Sequence, residues 1–118
     1  MSTPEVFGNN AVLLMKLIDL AESYVLSITK DQANLWFEMT VLSDDGQRYR
    51  IFASNHNGSP IVVEVGGVSL KAGFTSSGNI PSLGELESIG LRATGVCLEG
   101  DFGDITIFAD NINTEKLQ

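Results

Sequence analysis

Residues 24–53 read YVLSITKDQANLWFEMTVLSDDGQRYRIFA, and the way this stretch alternates decides the fold. Asn34 to Leu42 sets Leu35, Phe37, Met39 and Val41 on one face, opposite Trp36, Glu38 and Thr40. Gln47 to Ala53 sets Tyr49, Ile51 and Ala53 opposite Arg48, Arg50 and Phe52. Tyr24 to Thr29 sets Tyr24, Leu26 and Ile28 opposite Val25, Ser27 and Thr29. Period two with β-branched and aromatic residues is the signature of strands.

Register follows from the side chains, because cross-strand partners share a face and a slip of one residue flips them. A two-residue loop of Asp45 and Gly46 would set Val41 against Arg50. A three-residue loop of Asp44, Asp45 and Gly46 pairs Val41 with Tyr49, Met39 with Ile51 and Phe37 with Ala53. That loop is a type I turn plus a bulge, with Gly46 in the left-handed position. By the same matching, a turn over Lys30 to Ala33 pairs Ile28 with Leu35, Leu26 with Phe37 and Tyr24 with Met39.

Working outward, Ala11 to about Glu22 carries an apolar stripe of Leu13, Leu14, Leu17, Ile18 and Ala21. This spacing predicts an N-terminal helix laid on the sheet. Beyond the meander, Ile61 to Ala72 reads as a hairpin turning at Gly66-Gly67, with Val65 opposite Val68. Ser82 with Glu85 fits a capping box, which predicts a short helix over Leu83 to Ser88. Leu91 to Glu99 and Asp104 to Asp110 form a last hairpin through the loop Gly100-Asp-Phe-Gly103. It pairs Leu98 with Ile105, Val96 with Ile107 and Cys97 with Thr106, and Gly95 with Phe108, whose ring covers the glycine. The tail from about Asn111 is polar and is expected to fray. The expected architecture is a single α+β domain over residues 1–118. It has one N-terminal helix packed on a curved, mainly antiparallel sheet of about seven strands.

The 118 residues suffice for a core, and 43% hydrophobic content argues against disorder. A net charge of −8 disfavours nucleic acid and anionic membranes, which are bound through Lys and Arg. No apolar run approaches the ~18 residues of a membrane span, and no signal peptide is evident. Cys97 is the one cysteine, so no internal disulfide forms; it reads as a small core residue, and the cytoplasm is the expected compartment.

The chemistry-bearing residues are few. His56, the one histidine, lies among asparagines and reads as a turn residue rather than a base or ligand. Asp101 and Asp104 with Glu99 form the densest acidic loop, but their spacing is not that of a calcium loop. No Gly-x-Ser-x-Gly elbow or assignable carboxylate pair supports catalysis. No cofactor or metal is expected.

The leading expectation is a non-catalytic acidic binding protein acting through a protein surface, an inhibitor or immunity-type antagonist of a basic partner. Its candidate contact residues are Glu99, Asp101, Phe102 and Asp104. There Phe102 either anchors a partner within a charged rim or folds back over the sheet edge. The rivals are a small-molecule or accessory module with an apolar cavity under the sheet, and an enzyme with an unrecognised carboxylate site.

Overall fold

A computed structural model describes Leu17 and residues 19–66, 73–74, 81–91 and 95–117. Ten strands run through these residues: β1 (Tyr24–Lys30), β2 (Trp36–Leu42), β3 (Arg48–Ser54), β4 (Val62–Gly66), β5 (Gly73–Phe74), β6 (Pro81–Ser82), β7 (Leu86–Leu91), β8 (Gly95–Gly100), β9 (Gly103–Phe108) and β10 (Asn111–Leu117). They form two antiparallel four-stranded sheets, ordered β1-β2-β3-β10 and β4-β9-β8-β7, and a two-stranded ribbon of β5 and β6.

The β2–β3 hairpin has the expected register, with Phe37, Met39 and Val41 opposite Ala53, Ile51 and Tyr49. Its loop is the three-residue one. Ser43 N–H donates to Gln47 O at 2.8 Å, Gly46 N–H donates to Ser43 O at 3.0 Å, and Gly46 stands at φ +84°. The β8–β9 register also matches: Leu98 faces Ile105, Val96 faces Ile107, Cys97 faces Thr106 and Gly95 faces Phe108. The strands continue to a Gly100–Gly103 pair, so the connection shortens to Asp101 and Phe102.

The expected α+β fold is overturned, since no helix is formed among the described residues and they are nearly all sheet. Of the N-terminal stripe, residues 11–16 and 18 lie outside the described residues. Residues 19–22 turn, with Leu20 N–H donating to Leu17 O and Glu22 at φ +70° ahead of β1. The apolar face of the first sheet is covered by the second sheet instead. Phe37, Met39, Val41 and Ile51 share one buried cluster with Val96, Leu98, Ile105 and Ile107. Facing sheets bury their inward residues in this way, with alternate residues turned outward.

The β1–β2 register is corrected by four residues: Ile28 faces Met39 and Lys30 faces Phe37. Turn chemistry outweighs the best apolar match here. Asp31 accepts from Ala33 N–H at 2.9 Å and Leu35 N–H at 3.3 Å, and Asn34 takes φ +61°, so the loop spans residues 31–35. A bulge between Val25 and Ser27 then shifts the alternation, which buries Val25 and leaves Leu26 only partly covered.

Three further expectations change. The short helix over Leu83 to Ser88 is extended chain, and β7 begins within it at Leu86. Leu83 N–H donates to Val25 O at 2.7 Å and Val25 N–H to Gly84 O at 2.8 Å, so this segment lines the edge of β1 before entering the second sheet. A backbone claimed by a neighbouring strand cannot also close a helical turn. The hairpin at Gly66-Gly67 depends on residues 67–72, which lie outside the described residues; β4 itself pairs with β9. The polar tail is a strand, since β10 pairs with β3 along its full length, from Asn111 opposite Ser54 to Leu117 opposite Arg48.

Both crossings between the sheets, β3 to β4 and β9 to β10, are tied at one corner. Asp110 N–H donates to Asn55 Oδ1 at 2.9 Å, and His56 N–H donates to Asp110 Oδ1 at 2.8 Å.

Candidate functional site

Cross-strand rows on the inner face of the first sheet grade from apolar to polar. The row Phe37–Ala53–Ile112 is buried throughout. The next is Met39–Ile51–Thr114, and the last is Val41–Tyr49–Lys116. Thr114 and Lys116 interrupt the apolar face, and a cavity of about 570 Å³ opens there. The turn over residues 19–23 contributes Asp19, Glu22 and Ser23, and the β2–β3 loop contributes Ser43, Asp44 and Asp45. Tyr49, Thr114 and Lys116 supply the sheet side. Four carboxylates against one ammonium leave an excess of three negative charges around it.

Asp45 is already engaged. It accepts from the Ser43 hydroxyl and from Gln47 N–H at 3.1 Å, and these bonds hold its carboxyl below the usual range, Ser43 contributing most. Asp19, Glu22 and Asp44 form no ion pair with the described residues. A cavity with an aromatic wall and several oxygen acceptors suits a cationic group with an aliphatic stem.

The acidic loop singled out from the sequence lies elsewhere, on the second sheet. Phe102 is 0% exposed and belongs to the core cluster, so its ring is not an exposed anchor. It folds back because Gly100 leaves room: a Cβ there would stand 2.9 Å from the Phe102 ring. Asp101 accepts from Glu85 N–H at 3.0 Å, and Glu99 accepts from the Ser88 hydroxyl at 3.0 Å. Asp101 also shares a hydrogen bond with Glu87, which raises the Glu87 carboxyl above its usual range. Asp104 faces Glu99 across the β8–β9 ladder. Asp101 and Glu99 thereby brace β8 and the turn after it against residues 85–88.

Sequence reasoning missed the cavity residues because they come from four separate segments. Asp44 and Asp45 were legible as turn formers only, and Thr114 and Lys116 lay in a stretch expected to fray. The outer face of the first sheet carries a second cluster, in which Trp36 stacks on Phe52 at 6.4 Å and Arg50 lies over the Phe52 ring at 5.4 Å. Arg50 pairs with Glu115 and, at 4.0 Å, with Glu38. These groups pair across the strands, as is usual on a sheet face, although Arg50 Nε is buried without a hydrogen-bond partner.

His56 is 75% exposed and its Nδ1 lies 3.1 Å from Asp110 Oδ1, where it braces the corner loop. Cys97 is buried. Among the described residues no group of three His, Cys, Asp or Glu side chains is placed to hold a metal ion, and no helix is long and apolar enough to cross a membrane. No protein-family model matches the chain, and neither a curated protein nor a solved structure matches it.

Proposed function

We propose that this chain is a non-catalytic binding protein that engages a basic protein partner at the open end of its sandwich. The observation that carries the reading is the convergence of Asp19, Glu22, Asp44 and Asp45 around one cavity. A net charge of −8 adds long-range attraction for a basic partner and speeds encounter. The acidic residues around β7 would contribute to that field rather than to the contact itself.

Calorimetric titration with a lysine-rich peptide at low and at physiological salt tests this. Binding is expected, weaker at the higher salt. The double variant Asp19→Asn/Asp44→Asn should weaken it roughly fivefold to tenfold, as two partly exposed charge pairs would. Asp101→Asn serves as the control for charge alone and should have a smaller effect. Equal losses from both variants, or no binding at low salt, would remove the support for this site.

A further inference from the structure

Ser23 lines the cavity yet is only 2% exposed. Its backbone is fully used: its N–H donates to Leu20 O at 3.1 Å, and its carbonyl accepts from Leu86 N–H at 2.8 Å. Its hydroxyl has no hydrogen-bonding partner among the described residues. The one side-chain polar atom sealed from solvent without a partner there is Arg50 Nε, so the Ser23 hydroxyl is not sealed. Its residue lines the cavity, which is therefore the space from which that hydroxyl can be met. Buried polar groups are satisfied as a rule, and this one is left to be satisfied from the cavity.

We infer that the cavity receives a lysine side chain of the partner, with its ammonium against the Ser23 hydroxyl. The inference rests on the function proposed above. The cavity offers carboxylates at Asp19, Glu22 and Asp44, and of its hydroxyl-bearing residues, Ser23, Ser43, Tyr49 and Thr114, Ser23 is the buried one. A lysine ammonium carries three donors and no acceptor on a compact tip, so it can reach a buried hydroxyl in a cavity that carboxylates also line. Tyr49 supplies an aromatic wall for the charged end and the methylene stem.

Two peptides of one sequence, carrying lysine or acetyl-lysine, are titrated into the ¹⁵N-labelled full chain. The lysine peptide should shift the amide resonances of Ser23, Tyr49 and Thr114, and the acetyl-lysine peptide should leave them in place. Ser23→Ala should keep a dispersed spectrum and weaken the lysine peptide about fivefold, the worth of one hydrogen bond to a charge. Asp44→Asn, in an exposed turn, gives the same comparison without touching a buried residue. If acetyl-lysine binds equally well, or Ser23→Ala leaves affinity unchanged, the lysine inference is overturned. The salt-dependent titration would still support the proposed function. If that titration also fails, both fall together.

Discussion

Gly46 and Gly95 are glycines for different reasons, and their alanine variants separate them. At Gly46 the backbone stands at φ +84° with nothing within 4 Å of an added Cβ, so alanine meets conformational strain alone, about 1 kcal/mol. At Gly95 the Cβ would lie 2.2 Å from the Ile107 carbonyl oxygen and 2.9 Å from the Phe108 ring. The carbonyl belongs to the ladder and cannot yield without breaking it. Gly95→Ala is therefore expected to cost roughly 2 kcal/mol or more, as overpacking does. Urea unfolding of the two variants checks the order, and a reversal would contradict the β8–β9 register. Asp45 gives a pH prediction. Its folded pKa is depressed by Ser43 and Gln47, so its contribution is present above the ordinary carboxylate range and is lost as pH falls through the folded value. Ser43→Ala should flatten that acid-side loss in urea midpoints measured across pH; an unchanged slope would show that the bond does not shift Asp45.

Among the elements, β10 is where composition misled most. Asn-Ile-Asn-Thr-Glu-Lys-Leu has a single buried apolar residue, Ile112, and reads as a tail. Its backbone is nevertheless committed to β3 over seven paired positions. Truncation after Asp110 should abolish the cooperative unfolding transition, because it uncovers β3 and removes Ile112, whose side chain alone is worth on the order of 2 kcal/mol or more. A truncated chain that melts as the full chain does would restore the frayed tail. The loops show where local chemistry was readable. Ser43-Asp-Asp-Gly specified both turn and register, because a glycine at positive φ and an aspartate bonding forward leave few alternatives. Lys30-Asp-Gln-Ala-Asn was harder, since Asn34 rather than a glycine adopts the left-handed conformation and the Asp31 side chain lengthens the loop.

At the scale of the whole molecule, the sequence determined that this chain forms strands with one apolar face, and which residues of β2, β3, β8 and β9 oppose one another. Those properties are local: alternation and turn residues act over a few positions and need no distant partner. Tertiary structure decided what covers the apolar face. An apolar sheet face demands a cover but does not specify one, and alternation in β2 and β3 is the same under a helix or a second sheet. It also decided the fate of residues 83–86, whose capping pattern gave way to hydrogen bonds with β1. The cavity belongs to the same class of outcome. Thr114 and Lys116 join Asp44 and Tyr49 only because β10 returns from the second sheet to lie beside β3, and Ser23 joins them from immediately before β1. No local pattern encodes that encounter, since it depends on contacts between residues far apart along the chain.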